Sequence, residues 1–311
     1  MWSLTSMKTV LLTGATGLIG SHILPILKQQ GFRIHLFSRS ANQVAHADAV
    51  FLWNLESGEL DEQAFDGVSH IIHLAGAGIA EKHWTDERKA EILSSRVKPA
   101  AMLLKALLKR NQQLEAYVSA SAVGWYGAIT DNHLHAEVEP AAEDFLGETC
   151  RLWEQSADAF ESISNRVVKI RTGVVLARES GALPQMMKPF KYYSGSPLGS
   201  GKQQIPWIHI EDIARVFAEA CMNTNWTGAY NASATTSCSN RDFSKALAKT
   251  MNRPLLPISV PSFVLKLILG EMSVVVLEGS RISNQKIKNA GFEFNYTKLE
   301  SALENLISIQ N

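Results

Sequence analysis

A stretch of eight residues, Thr13 to Gly20, constrains the fold of this chain most. It reads Thr-Gly-Ala-Thr-Gly-Leu-Ile-Gly and repeats glycine at three-residue intervals. The apolar run 8–12 before it predicts a buried parallel strand, and isoleucines and leucines recur at helical spacing after it. This order of strand, glycine turn and helix is the context in which the pyrophosphate of a dinucleotide binds at a helix N-terminus.

The glycines have separate predicted roles in this turn. We expect Gly14 to adopt a positive φ, Gly17 to let the backbone approach a pyrophosphate, and Gly20 to let the helix pack close to the strand. The spacing G-x-x-G-x-x-G differs from the G-x-G-x-x-G fingerprint, and an ordinary glycine turn is the alternative interpretation. The predicted cofactor contacts in the turn are Gly14, Ala15, Thr16, Gly17, Leu18 and Ile19.

Ser38 and Arg39 follow the second predicted strand, residues 34–37. In NAD-binding proteins this position usually holds an acidic residue that binds the ribose hydroxyls. No acid is present here, and Arg39 could instead pair with a 2′-phosphate. The sequence therefore favours NADP as the cofactor, with Ser38 and Arg39 as predicted contacts. A solvated surface arginine is the alternative.

Strands and helices alternate through the first part of the chain. Further strands are predicted at 49–53, 70–74, 116–118 and 167–176, and a long helix at 85–110, where Pro99 leaves open a break into two. The pattern predicts an α/β fold, a Rossmann-type doubly wound parallel sheet with a smaller C-terminal α/β lobe. We assign residues 7–176, with returns at about 206–232, to an NADP-binding Rossmann domain. Residues 177–205 and 233–311 form the predicted substrate-side lobe.

The glycine turn resembles that of the extended short-chain dehydrogenase/reductase family. The stretches 119–127, 171–176 and 206–212 and the tail 261–303 resemble an atypical branch of that family. Its members are labelled epimerase-family or sugar-nucleotide-epimerase-like proteins and end in a small domain of unknown function. The resemblance covers nearly the whole chain and implies NADP binding, whereas the label "epimerase" is inherited from the fold.

The resemblance also implies roles for residues at the ends of the later strands, where parallel sheets form their ligand crevice. The implied cofactor contacts are Leu74, Ala75, Gly76, Glu91, Arg96, Ser119 and Leu176, and the implied catalytic residues are Ser121 and Tyr126. Glu91 and Arg96 could equally be solvated charges. Ser119 and Ser121 could equally be small packing residues.

Catalysis in this family usually needs a tyrosine and a lysine four residues later on the helix after the fifth strand. Matched through Glu154, the two positions are Leu146 and Cys150, and no tyrosine in the chain is followed by lysine at that spacing. Two function classes remain. One is an NADP-dependent oxidoreductase or epimerase-like enzyme with a substituted acid or base, from Ser121, Tyr126 or the substrate. The other is a regulator that senses NADPH and does little chemistry.

Composition limits the partners. The formal net charge is zero and there is no basic run, so we expect a small-molecule substrate rather than nucleic acid or a membrane, and we leave a homodimer open. The three cysteines form no C-x-x-C pair, and the late apolar stretch 260–277 is interrupted by proline, glycine and charged residues. We expect a cytoplasmic protein without a signal peptide and without a metal, and we interpret His73 as a core histidine.

Overall fold

The computed structural model describes residues 7–234 and 238–307. Its strands are β1 (Thr9–Thr13), β2 (Arg33–Ser38), β3 (Ala49–Asn54), β4 (Glu59–Leu60), β5 (Val68–His73), β6 (Ala116–Ala122), β7 (Leu134–His135), β8 (Val167–Thr172), β9 (Val174–Leu176), β10 (Trp207–His209), β11 (Gly228–Ala232) and β12 (Arg281–Ile282). Its α-helices are α1 (Leu18–Gln29), α2 (Asp86–Lys109), α3 (Phe145–Asp158), α4 (Ala182–Lys191), α5 (Ile210–Met222), α6 (Asn240–Thr250), α7 (Ser262–Leu269), α8 (Val274–Leu277), α9 (Gln285–Asn289) and α10 (Leu299–Ile307).

An eight-stranded sheet organises the molecule, in the order β11-β8-β6-β5-β1-β2-β3-β4. All neighbours in it are parallel except β3 and β4. The chain builds outward from β1 through β2 and β3, and then returns to build the other half from β5. The predicted Rossmann-type parallel sheet is confirmed. The order of strands reverses between β1 and β5, which is where open α/β sheets bind their ligands.

Helices cover both faces of this sheet. Val10 and Leu12 of β1 face one buried cluster, beneath α1 and α5, whereas Leu11 faces a second cluster that includes residues of α2. Alternate side chains of a strand point to opposite faces, so burial on both sides explains the continuous apolar run of β1. The division of the chain into the two predicted lobes stays a prediction.

The structure divides one predicted strand and decides that Pro99 does not break the long helix. The predicted strand 167–176 is two strands: β8 lies in the large sheet, and β9 pairs instead with β10. The break falls at Gly173, where a Cβ would lie 2.2 Å from the carbonyl oxygen of Pro206. The predicted helix 85–110 is one helix that continues through Pro99, with the Thr85 hydroxyl capping its start by accepting from the backbone N–H of Arg88.

A helix that crosses a bilayer is long and predominantly apolar. Across residues 7–234 and 238–307, no helix combines the length and the apolar character that crossing a membrane requires.

Candidate functional site

The glycine turn joins β1 to α1 at the reversal point of the sheet. Gly14 has φ +70°, as predicted, and its carbonyl accepts a hydrogen bond from the N–H of Gly17 at 3.0 Å. A Cβ at Gly14 would lie 2.8 Å from the carbonyl carbon of Leu74, at the end of β5. Only glycine therefore fits, because both the backbone conformation and the neighbouring strand end exclude a side chain.

The N-terminus of α1 points its free backbone donors at this turn. Gly17 is the N-cap, no side chain in the described part of the chain caps the helix, and the first turn contains no acidic residue. These N–H groups therefore remain available to an anion. Gly20 fits the turn tightly, since a Cβ there would lie 2.5 Å from the carbonyl oxygen of Gly14. The close approach is thus to the turn itself rather than to the body of β1.

The segment that follows β5, on the other side of the crevice, is held by a side chain of β1. The hydroxyl of Thr13 accepts hydrogen bonds from the backbone N–H groups of Leu74 and Ala75, at 3.2 and 3.3 Å. It also lies 2.7 Å from Nδ1 of His73, which is buried. The predicted contacts Leu74, Ala75 and Gly76 therefore lie directly beside the glycine turn. His73 is in the core, as the sequence predicted.

Arg39 lies just beyond the end of β2. In the sheet, β2 is the neighbour of β1, the strand that leads into the glycine turn. The side chain of Arg39 is exposed and forms no hydrogen bond or ion pair with the described residues. Ser38 is half-buried, and its hydroxyl accepts from the backbone N–H of Ser40 at 3.2 Å. The guanidinium is free to bind an anion at this edge.

The two charged residues predicted on α2 have different environments. Arg96 is buried, donates to the carbonyl of Ile92 at 2.7 Å and lies over the ring of Trp153. Burial lowers the pKa of Arg96 from its ordinary value. A Cβ at Gly76 would lie 3.3 Å from its Cγ, so Arg96 supports the Leu74–Gly76 turn. Glu91 is exposed and forms an ion pair with Arg88 at 2.7 Å.

Two further predicted contacts are enclosed by the protein. Ser119 is buried in β6 beside His73, and its hydroxyl donates to the carbonyl of Ala120 at 2.9 Å. Leu176, in β9, has no exposed surface. In this conformation neither side chain presents a surface to a ligand.

Ser121 is part of a buried charged cluster on the same face of β6 as Ser119. Its hydroxyl donates to the carboxylate of Glu154 at 2.7 Å. Glu154 in α3 also accepts two hydrogen bonds from Arg171 in β8, from Nε at 2.8 Å and from Nη2 at 3.0 Å. All three residues are buried. Burial acts to lower the pKa of Arg171, but the bonds to Glu154 outweigh it and raise that pKa.

Tyr126 joins the same cluster through its hydroxyl. The hydroxyl donates to Oδ1 of Asn231 at 2.8 Å and accepts from Nη1 of Arg171 at 3.1 Å. Burial raises the pKa of Tyr126 to about 12, against the opposing charge of Arg171. The guanidinium of Arg171 also lies 3.7 Å from the ring centroid of Trp125. Ser121 and Tyr126 are therefore brought together through Glu154 and Arg171, with both hydroxyls hydrogen-bonded.

Two known sequence families match different parts of this chain. The sequence profile of the NAD dependent epimerase/dehydratase family matches residues 10–232, which include every strand of the large sheet except the first residue of β1. This chain belongs to that family. Residues 260–306 match a second profile, a domain of unknown function, DUF1731. The resemblance to the epimerase-family branch with a small C-terminal domain is thus confirmed.

Relatives in the epimerase family match nearly the whole chain. Epimerase family protein YfhF of Bacillus subtilis is 35% identical over 300 residues, which are 96% of this chain and 98% of that protein. Among solved structures, human epimerase family protein SDR39U1 (isoform 2) with NADPH is similar, with a TM-score of 0.84 and 28% identity over 97% of this chain and 99% of that one. A nucleoside-diphosphate sugar epimerase from Corynebacterium glutamicum has a TM-score of 0.79 and 28% identity over 98% of this chain and 59% of that one.

Leu146 and Cys150, the positions predicted to match the usual tyrosine and lysine, lie on one face of α3. A Cβ at Gly124 would lie 3.5 Å from each of them, from Cβ of Leu146 and from Sγ of Cys150. The thiol of Cys150 donates to the carbonyl of Ala122, and burial raises the pKa of this thiol to about 12. Neither side chain can exchange a proton near neutral pH.

Sequence reasoning missed the centre of the buried cluster in this epimerase-family chain. From the sequence, Glu154 had no predicted role beyond the alignment of α3, and Arg171 had none beyond its place in a predicted strand. The available signal was weak. Glu154 follows Trp153 on the apolar face of the α3 segment, and Arg171 lies in a valine- and isoleucine-rich strand that also holds Lys169. Charges rarely occupy the buried face of a helix or strand without a partner. Asn231, on β11, carried no comparable signal.

Proposed function

We propose that this protein binds NADP(H) in the crevice between the ends of β1 and β5. Arg39 carries the proposal, since its exposed guanidinium lies beyond β2 without a partner among the described residues and no acid occupies that strand end. It can pair with a 2′-phosphate by charge-assisted hydrogen bonds. The similar human protein SDR39U1 was solved with NADPH, which supports the same cofactor here.

The residues at the crevice fit a dinucleotide. A Cβ at Gly14 or Gly20 would clash with backbone atoms, so glycine at these positions allows the tight turn into α1. No side chain of the described residues caps the start of this helix. The uncapped N–H groups suit a pyrophosphate. Leu74, Ala75 and Gly76 form the neighbouring wall, held by Thr13.

We propose further that the protein acts on a small-molecule substrate in an oxidoreductase or epimerase-like reaction. A bound nicotinamide would supply hydride chemistry. The chain would supply the proton from Ser121 or Tyr126. Burial raises the pKa of Tyr126 to about 12, so the hydroxyl stays protonated at neutral pH and can act only as a proton donor, a weaker acid than an unburied tyrosine. In the oxidation direction, the Ser121 oxygen would take the proton of a substrate hydroxyl while the serine proton passes to Glu154, which already accepts its hydrogen bond; reduction would run the same transfers in reverse.

A second candidate function is an NADPH-sensing protein that does little chemistry. The observation that favours it is that both proposed proton donors are buried and already hydrogen-bonded, Ser121 to Glu154 and Tyr126 to Asn231. Either hydroxyl would have to give up a buried bond before it could reach a substrate. This requirement slows chemistry but leaves cofactor binding intact.

The cofactor proposal is tested by titrating NADPH and NADH into the wild type and Arg39→Ala. A charge-assisted contact contributes about 1.5–3 kcal/mol, so the wild type should prefer NADPH by about tenfold or more and the variant should lose that preference. Arg33→Ala, which removes an exposed arginine at the opposite end of β2, is the matched control and should keep the preference. Equal wild-type affinities for the two cofactors would contradict the proposal.

Turnover separates the two candidate functions. NADPH oxidation is measured against carbonyl compounds and sugar nucleotides, and any active substrate is repeated with Ser121→Ala and Tyr126→Phe. If the protein is an enzyme of the proposed kind, one of these changes should lower kcat by about 10²–10⁴-fold with NADPH affinity unchanged. Fast turnover that survives both changes would place the proton donor elsewhere. Tight NADPH binding without turnover would favour the sensor.

A further inference from the structure

Three potential metal ligands converge on the segment that follows Tyr126. Nε2 of His133 lies 3.1 Å from one carboxylate oxygen of Glu139, and Nδ1 of His135 lies 2.7 Å from the other. All three ligand atoms lie within 4.8 Å of one another. The segment spans only seven residues, so the donors come from one turn of the chain rather than from distant elements.

The backbone holds these donors in place. His135 is in β7, which pairs with β12, and its carbonyl accepts from the N–H of Ser283 at 2.8 Å. The N–H of Ala136 donates to Glu139 at 2.8 Å, and the N–H of His133 donates to Asp131 at 3.1 Å. The ligands are therefore arranged before any ion arrives, which lowers the entropy lost on binding.

We propose that His133, His135 and Glu139 form a Zn²⁺ site. Two imidazole nitrogens and a carboxylate oxygen are ligands that Zn²⁺ favours, at about 2.0–2.2 Å, and tetrahedral geometry then separates the ligand atoms by about 3.3 Å. Each imidazole nitrogen lies close to this distance from one oxygen of Glu139, at 2.7 and 3.1 Å from its two different oxygens. The three ligand atoms lie within 4.8 Å of one another, so a small rearrangement brings them to the tetrahedral separation. The ion replaces the protons shared between each imidazole and the carboxylate, and water takes the fourth position.

An acidic side chain lies near the other ring nitrogen of His135. This nitrogen, Nε2, is buried without a hydrogen bond among the described residues, and Oδ1 of Asp131 lies 3.7 Å from it. With Nδ1 on zinc, Nε2 would carry the proton, and a small shift of Asp131 would bring its carboxylate within hydrogen-bonding distance, which is the usual arrangement around ligating histidines.

The proposed ion would stiffen the cover of the buried cluster. Glu137, between the ligands, accepts from Arg171 through its carbonyl at 3.2 Å and from the N–H of Asn231 through its carboxylate at 2.9 Å. The ring of His135 also lies against Tyr126, with centroids 5.2 Å apart. Zinc would therefore fix this segment over Tyr126, and ion binding should raise the melting temperature because the unfolded chain has no such site.

Zinc chloride is titrated by calorimetry into tag-free, EDTA-treated protein whose fold has been checked by circular dichroism. We expect one saturable equivalent, a higher Tm with zinc, and no response to Mg²⁺. His133→Ala and Glu139→Gln should each weaken binding by about tenfold or more, and Asp131→Asn by about 10–100-fold. His83→Ala removes an exposed histidine outside the site and is the matched control with wild-type affinity.

Cobalt absorption identifies the ligands independently. Co²⁺ bound by nitrogen and oxygen lacks the intense near-ultraviolet band that a thiolate ligand gives, and all three cysteines are buried. Absence of saturable zinc binding to folded protein would overturn the proposal. One-equivalent binding that survives the combined His133→Ala and Glu139→Gln changes would overturn it as well, and a thiolate band would assign the ion to a cysteine.

Discussion

At the scale of single residues, the stability of the fold depends on the buried ion pair between Glu154 and Arg171. Both are buried, and the carboxylate accepts two hydrogen bonds from the guanidinium. Removing one member leaves the other charge buried without its counterion. We expect Glu154→Ala to lower the free energy of unfolding by about 3–5 kcal/mol, measured by urea denaturation at neutral pH.

Two comparisons separate loss of charge pairing from loss of packing. The double change Glu154→Leu and Arg171→Leu removes both charges, so it should be more stable than Glu154→Ala alone. Glu148→Ala breaks an exposed pair with Arg151 on the same helix and should change stability little. A double variant that is less stable than the single one would show that the hydrogen bonds to Ser121 and Tyr126, rather than charge compensation, dominate.

At the scale of elements, the turn between β1 and α1 depends on close backbone contact with the end of β5. Gly14→Ala introduces a Cβ 2.8 Å from the carbonyl carbon of Leu74, in addition to an unfavourable positive φ. Gly31, just beyond the other end of α1, has φ +82°, and a Cβ there would have no atom of the described residues within 4 Å. The variants Gly14→Ala and Gly31→Ala share the conformational penalty of about 1–2 kcal/mol and differ in the contact.

We therefore expect Gly14→Ala to be clearly less stable than Gly31→Ala in urea denaturation and to lose NADPH affinity, which Gly31→Ala should keep. The affinity falls because β1 and β5 must separate to admit the methyl group, and their separation displaces the crevice wall. Equal losses of stability in the two variants would mean that the contact with Leu74 relaxes without strain.

At the scale of the whole molecule, buried histidines tie stability to pH. Burial lowers the pKa of His73 from 6.5 to about 4, and burial likewise lowers that of His70 to about 4, against the opposing charge of Glu115. The unfolded chain therefore binds protons between pH 6.5 and 4 that the folded chain does not. Stability should be full above pH 6.5 and fall as the pH is lowered toward 4, by about 2 kcal/mol per histidine between pH 7 and pH 5.

The contribution of His73 can be isolated by replacing it. His73→Asn should be less stable at pH 7, because its contact with Thr13 is disturbed, but it should lose about 2 kcal/mol less than the wild type between pH 7 and pH 5. Urea denaturation at the two pH values gives the comparison. Identical pH dependence in the two proteins would show that His73 takes up a proton in the folded state.

Local patterns in the sequence determined much of the fold. The strand, glycine turn and helix around Gly14 were predicted with the correct conformation, and β2, β3 and β5 lie within a few residues of their predicted bounds. Such features depend on contacts and backbone preferences within one segment. The break at Gly173 was not predicted, because it results from the carbonyl of Pro206, 33 positions away in the chain.

The sequence by itself determined the α/β class, the place of the glycine turn, the absence of an acid at the end of β2 and the lack of a Tyr-x-x-x-Lys pair. Only the tertiary structure decided that Ser121 and Tyr126 share a buried charged cluster and that Thr13 holds the wall of the crevice. The hydroxyl of Tyr126 meets Asn231 across 105 positions of sequence. The order of strands in the sheet brings such residues together, and pairings between distant strands leave no periodic signal in the chain.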